Sequence, residues 1–227
     1  MKKISALILL TAILIACNNE DQSKTTSQEP KETKTKEAEN ESEELKKDFQ
    51  PIDSDEALVI TALKAAPEES REECKVIGYN MAGEFVTLKE GNNEFICIAD
   101  NPNQEGFSAA CYHKSLEPFM ERGRALKAAG KNGKEIFEIR EEEIKSGKLE
   151  MAEAGATLHV YYGAEKKYNP ETGEALGANY RYVVYLPFAT SESTGLPETP
   201  TASNHPWIMD PGTHKAHIMI KPLADKN

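Results

Sequence analysis

Cys74-Lys-Val-Ile-Gly-Tyr79, Glu84-Phe-Val-Thr-Leu-Lys89 and Glu94-Phe-Ile-Cys-Ile-Ala99 are three short runs rich in β-branched and aromatic residues. Asn80-Met-Ala-Gly83 separates the first two, and Gly91-Asn92-Asn93 separates the last two. Strand-like runs at this spacing, with Gly and Asn between them, predict a three-stranded antiparallel meander. Before it, Asp53-Ser54-Asp55-Glu56 supplies a side-chain cap and first-turn acids for a helix. Leu58, Ile60, Leu63 and Ala66 form that helix's buried side, and Pro67 closes it.

Beyond the meander, Asp100 to Ala110 reads as a loop containing Pro102 and Gly106. Ser115 then caps a helix that carries Pro118 in its first turn, with Leu116, Phe119, Met120, Gly123 and Leu126 at helical spacing. Gly130 ends it. A second helix is predicted over residues 134–146, with Ile136, Ile139 and Ile144 on its apolar side and Gly147 as its stop. Thr157–Tyr162 and Tyr180–Leu186 are strand-like and joined by a long polar loop. Trp207-Ile-Met209 and Lys215–Ile220 flank a turn at Asp210-Pro-Gly212. The expected class is α+β: an antiparallel sheet, built from the N-terminal meander and C-terminal hairpins, with two to three helices on one side.

The chain's first residues give its address. Met1-Lys2-Lys3 precedes thirteen residues, Ile4 to Ala16, that only Ser5 and Thr11 interrupt. That run is too short to span a bilayer and has the length of a signal-peptide core. Leu14-Ile15-Ala16-Cys17 resembles the bacterial lipobox, which implies cleavage before Cys17 and acylation of its sulfur and amine. Several acyl chains, palmitate among them, anchor far more firmly than one. Asn18 follows in place of Asp, which by resemblance to Gram-negative sorting rules implies the outer membrane; periplasmic and surface faces both remain open. Asn18–Gln50 holds six Lys and ten Asp or Glu, but only Ala38, Leu45 and Phe49 as apolar side chains. Such a stretch buries too little to offset ordering entropy, so it is expected to be a disordered tether with a reach of about 30 Å. The expected organisation is a signal peptide at 1–16, a lipidated cysteine and tether at 17–50, and one domain at 51–227.

The protein has 227 residues and a formal net charge of −11, from 27 Lys and Arg against 38 Asp and Glu. Phosphate backbones call for a basic face, so nucleic acid is not an expected partner. The expected partners are the membrane, through the lipid, and an envelope protein, peptide or glycan.

Cys74, Cys97 and Cys111 remain once Cys17 carries lipid. They allow three single pairings and an all-reduced state. Cys97 with Cys111 closes a loop of 15 residues, which contributes about 3 kcal/mol in the chain-entropy model. That pairing would leave Cys74 as a buried thiol in a strand. No Cys-x-x-Cys supports a thioredoxin-like role. His205, Asp210, His214 and His217 are the candidate metal ligands, with zinc the ion considered and no cofactor otherwise expected. Strand alternation opposes them: Ala216, Ile218 and Ile220 share the predicted buried face and His217 lies opposite.

Tyr161, Tyr180 and Tyr182 are candidate ligand-binding residues, since aligned tyrosines on a hairpin offer apolar faces and hydroxyls to a sugar or peptide. Cross-strand packing explains them equally simply. Cys111-Tyr112-His113 is a poor nucleophile pair, because sequence neighbours on a strand face apart. Ser191, Ser193 and Thr194 lack Gly-x-Ser-x-Gly. Arg122 and Arg124, with Lys127, form a basic helix side suited to an anion or simply to solvent. No catalytic residue is assigned. The expected function is a non-enzymatic binding or structural domain of a lipid-anchored envelope protein. The alternative is a metal-dependent hydrolase or metal-binding protein using the C-terminal histidines.

Ala65-Ala66-Pro67, Gly91 to Cys97, Cys111, Gly195-Leu196-Pro197 and Gly212 to Ile220 follow one another in an order that resembles a family of exported bacterial lipoproteins of unknown function. The resemblance implies a shared fold and a Cys97–Cys111 disulfide, and it implies no activity. A Glu- and Lys-rich insert at 131–150 departs from the family pattern.

Overall fold

The computed structural model describes residues 48–223, so the signal region, Cys17 and most of the tether lie outside the described residues. An eight-stranded sheet runs through the domain. Its strands in chain order are β2 (Lys75–Tyr79), β3 (Phe85–Lys89), β4 (Phe95–Ile98), β5 (Phe107–His113), β6 (Thr157–Gly163), β8 (Asn179–Tyr185), β9 (Trp207–Met209) and β10 (His217–Ile220). Their spatial order is β3-β2-β4-β5-β6-β8-β10-β9. The β2–β4 pair is parallel and every other neighbouring pair is antiparallel. A small separate ladder joins β1 (Gln50–Pro51) to β7 (Lys167–Tyr168).

The three N-terminal strands exist, but they do not form the expected meander. β3 pairs antiparallel with β2, then the chain crosses the start of β2 and lays β4 on its far side, parallel. Gly91 makes this crossing. A Cβ there would stand 2.3 Å from the carbonyl carbon of Cys74 and from the nitrogen of Lys75. The N–H groups of Asn92 and Asn93 donate to the Glu73 carbonyl at 3.0 and 3.2 Å, which pins the crossing segment to the chain entering β2.

β5 replaces the second half of the expected 100–110 loop. Its Phe-Ser-Ala-Ala-Cys-Tyr-His sequence is weak in intrinsic strand preference, and pairing to β4 on one side and β6 on the other supplies what propensity lacks. Cys111 therefore lies within a central strand rather than at the start of a helix.

Helices pack on both faces of the sheet, not one. On the first face, α1 (Asp55–Leu63) sets Leu58 and Ala62 against Cys97, Ala109, Cys111 and Tyr161. The Ser54 hydroxyl caps α1 by accepting the Ala57 N–H at 3.1 Å. On the second face, α2 (Glu117–Ala128) sets Phe119 against Tyr112, Val183, Tyr185 and Met219. The side chains of a strand alternate, so two apolar faces require two covers. Fully burying residues such as Leu58 and Phe119 contributes about 1.5–3 kcal/mol each.

α3 (Gly133–Lys145) rides outside α2, started by a capping box between Asn132 and Glu135. Arg140 joins the two helices. Its guanidinium lies 3.8 Å from the Phe119 ring centroid and donates to the Phe119 carbonyl. Gly123 makes room for it, since a Cβ there would come within 2.9 Å of its Nη1. A 3₁₀ segment, Glu68–Glu73, leads from α1 into β2, and a short α4 (Ser191–Thr194) sits in the Ser/Thr loop. No helix of the described residues is long and apolar enough to cross a membrane.

The crossing generates a direct test. Gly91→Ala drives a methyl into backbone that has no rotamer to yield, so it costs about 3 kcal/mol or more. Urea denaturation of the two proteins measures the difference, and a loss below about 1 kcal/mol would show that the crossing tolerates a side chain.

Candidate metal centre

Three elements bring three sulfurs together. Cys74 sits where the 3₁₀ segment turns into β2, Cys97 is the third residue of β4, and Cys111 is directly opposite Cys97 on β5. Parallel pairing sets Val76 beside Cys97, so Cys74 lies diagonally from it on the same face. All three are fully buried, and their Sγ atoms lie within 4.8 Å of one another. All are free thiols in this structure, with the Cys97 and Cys111 sulfurs 2.6 Å apart. Among the described residues, they are the one group of three or more His, Cys, Asp or Glu side chains whose ligand atoms converge, and such a group can hold a metal ion.

The surroundings make the sulfurs unequal. Cys74 Sγ donates to the Ser70 carbonyl at 3.1 Å, and the Asn93 amide lies 3.6 Å from the same sulfur. The Lys89 ammonium donates to the Cys74 carbonyl at 3.1 Å. Hydrogen bonds from Cys111, Cys97 and Asn93, with Lys89 nearby, pull the Cys74 thiol well below its ordinary range. Cys111, Cys74 and burial push the Cys97 thiol up, and Cys74 and burial push the Cys111 thiol up against an opposing hydrogen bond with Cys97. The thiolate is the form that binds metals.

A cleft of about 530 Å³ opens one strand away, between the end of α1 and the sheet. His159, Tyr180 and Tyr182 line it, with Lys64, Glu68 and Arg71 at its edge. His159 is the register partner of both Cys111 and Tyr182, so the cleft floor continues the row that holds the thiols. Burial lowers the His159 pKa, opposed by a hydrogen bond from the ring to the Ala65 backbone carbonyl.

The tyrosine candidates divide. Tyr161 is a core residue whose hydroxyl accepts the Ala175 N–H at 2.8 Å. Its ring stacks on Tyr180 at 4.6 Å, and Tyr180 stacks on Tyr182 at 6.1 Å. These rings spend faces on one another, so Tyr180 and Tyr182 meet the cleft without Tyr161.

The four C-terminal metal candidates do not form a converging group among the described residues. His205 has its Nδ1 buried without a partner. The Asp210 carboxylate pairs with Lys215 at 3.0 Å. His217 hydrogen-bonds the Lys215 carbonyl through Nδ1 and packs on Tyr185. With Met219 it forms the buried pair of β10, the opposite of the expected alternation. His214 is fully buried between the rings of Phe119 and Phe137, and neither of its nitrogens has a partner. The basic helix side is likewise satisfied internally: Arg122 grips Glu143, and Arg124 holds Glu117 and the Tyr112 hydroxyl.

Sequence reading passed over Cys74 as a member of the site. The signal that would have included it is the β2–β4 pairing, which local patterning does not carry. No known protein family, curated protein or solved structure matches this chain.

His214 generates a pH prediction. Burial, with Arg140 beside it, lowers its pKa to about 4. The unfolded chain then binds the extra proton more readily than the folded one. The neutral ring's contribution is fully present above about pH 6.5 and is lost as pH falls towards 4, up to about 3 kcal/mol. His214→Leu removes the unpartnered nitrogens, so it is neutral or stabilising at pH 7 and shrinks the loss between pH 6.5 and 4. Denaturation at the two pH values checks this, and an unchanged slope would contradict it.

Proposed function

We propose that the domain is the extracytoplasmic part of a lipid-anchored envelope protein, tethered through Cys17, and that it holds one thiophilic metal ion on Cys74, Cys97 and Cys111. It binds the ion and catalyses no reaction. One observation carries this reading: three cysteines from separate parts of the chain converge on a single buried point. Three thiolates are soft donors, which favour Cu(I) and zinc over oxygen-seeking ions. Zinc completes a tetrahedron with four ligands, and water is the fourth where the protein supplies three. This site offers three sulfurs within a wall of Val76, Ala99 and Ala109, so Cu(I) fits it first and zinc with a bound water second. At a metal–sulfur distance of about 2.3 Å, two ligand sulfurs would stand about 3.8 Å apart in a tetrahedron and about 4.0 Å apart in a trigonal plane. Cys97 and Cys111 therefore open by about 1 Å around an ion.

A lipid anchor suits such a role, since it would hold a binding domain at the membrane. A second reading, binding of a peptide or glycan, is supported by the cleft at Tyr180 and Tyr182, where hydroxyls, Arg71 and Lys64 supply the polar contacts.

Elemental mass spectrometry tests the metal reading on mature protein purified reduced, without chelator, and offered Cu(I) or Zn(II). The expected result is one ion per chain. Cys74→Ser and Cys111→Ser each weaken retention at least about a hundredfold, more than the loss of an outer-sphere group would. Circular dichroism confirms that each variant is folded. A folded, reduced protein that retains neither ion overturns the reading.

A further inference from the structure

The same two cysteines that would supply two donors of the metal set also face each other as a strand pair. Cys97 and Cys111 are direct register partners on adjacent antiparallel strands, with side chains on one face and in sulfur–sulfur contact. Opposed residues of this kind hold their Cβ atoms within reach of a disulfide. Cys74 is placed differently. Val76, not Cys74, is the register partner of Cys97. Its sulfur is also tied to the Ser70 carbonyl, which in turn accepts the Asn93 amide at 2.7 Å. Of the three possible pairings, the β4–β5 pair needs no change of backbone.

We infer that the Cys97–Cys111 pair gates the metal centre by its redox state, holding the ion as two thiolates with Cys74 and expelling it as a disulfide. This inference rests on the metal reading above. The step balances with a two-electron thiol oxidant of the disulfide class. The Cys97 thiolate attacks R–S–S–R, forms a mixed disulfide and releases one RS⁻. The Cys111 thiolate then attacks the Cys97 sulfur, forms the Cys97–Cys111 bond and releases the second RS⁻. Two electrons pass from the pair to the reagent, and the ion keeps only Cys74, a single donor that cannot retain it. An azo oxidant accepts the same two electrons and two protons on its nitrogens.

The structure also contains the barrier to this reaction. All three sulfurs are buried, and the Glu68–Glu73 segment that carries Cys74 buries none of its own side chains. Hydrogen bonds rather than buried side chains hold that segment down: the Asn92 and Asn93 N–H groups to the Glu73 carbonyl, Lys89 Nζ to the Glu72 carbonyl, Asn93 Nδ2 to the Ser70 carbonyl, and Arg71 Nε to the Ala66 carbonyl at 3.2 Å. Segments secured by so few buried contacts open locally before the domain unfolds. Loss of the Arg71 latch lets reagent in sooner.

The experiment uses reduced mature protein loaded anaerobically with one equivalent of Cu(I), or of Zn(II) where that is the ion retained. The azo oxidant diamide is added. Released ion is read with a chromophoric chelator, and disulfides by intact mass and peptide mapping. The expected result is ion release in step with a mass loss of about 2 Da, a mapped Cys97–Cys111 bond and one thiol left at Cys74. Dithiothreitol followed by fresh metal restores the loaded form. Arg71→Ala, folded and still loading one ion, releases it about tenfold faster. Retention of the ion after the Cys97–Cys111 bond has formed overturns the gate and leaves the metal reading standing. A mapped bond from Cys74 to either partner also overturns the gate. Failure of the reduced protein to load either ion overturns both.

Discussion

The close passage of Gly91 beneath the Cys74–Lys75 peptide is the constraint from which the rest of the N-terminal half follows. The turn after β3 has five residues, Glu90 to Glu94, in which to reach a strand position beyond β2. It does so only by running against backbone, where any side chain would collide. Crossing there forces β4 to lie parallel to β2, and the parallel register sets Cys97 beside Val76, on the face that Cys74 shares. β5 then returns antiparallel and puts Cys111 opposite Cys97. The same crossing segment brings Asn93 to Ser70 and Cys74. One tight turn therefore gathers the sulfurs and ties down the segment above them.

The two faces of the sheet carry different work. On the α1 face, Ala57, Ala62, Ala65, Ala66, Ala99 and Ala109 surround the thiols, and Phe107, Tyr161 and Tyr168 fill the rest. Small side chains there let the helix and the 3₁₀ segment approach closely enough to shut solvent out. The α2 face is filled by larger rings, and its polar exceptions are found there. Arg140 is partly buried over Phe119 with its Nε unpartnered, and His214 is buried with both nitrogens unpartnered. Buried polar atoms without partners cost about 1–3 kcal/mol each. That face accordingly gives up stability where the thiol face does not, and its weakest condition is acid.

Much of the secondary structure was legible. Ser54 as a cap, Pro118 in a first turn, and Gly130 and Gly147 as stops all act locally, and the helices they bound are where local chemistry puts them. The ranges of β2, β3 and β4 agree with the three quoted runs to within a residue, because β-branched and aromatic side chains mark a strand wherever it pairs. Their neighbours were not legible. A run such as Phe-Val-Thr-Leu-Lys announces a strand but not which edge it joins. The parallel β2–β4 pair depends on Gly91, which reads equally well as an ordinary turn glycine. β5 was hidden because Ser108, Ala109 and Ala110 have little strand preference of their own. The buried pair of β10 was hidden because strand pairing begins at His217 and turns that side chain inward. The thiol centre depends on all of these registers at once. Each cysteine was visible singly, and only the β2–β4–β5 order makes them one site.

X-ray absorption spectroscopy of the loaded, reduced protein tests the central claim most directly, because it counts and identifies the atoms bound to the ion. The account predicts a first shell of three sulfurs at about 2.3 Å, one of which disappears in Cys74→Ser. A shell dominated by nitrogen or oxygen, or one unchanged by that substitution, would contradict it.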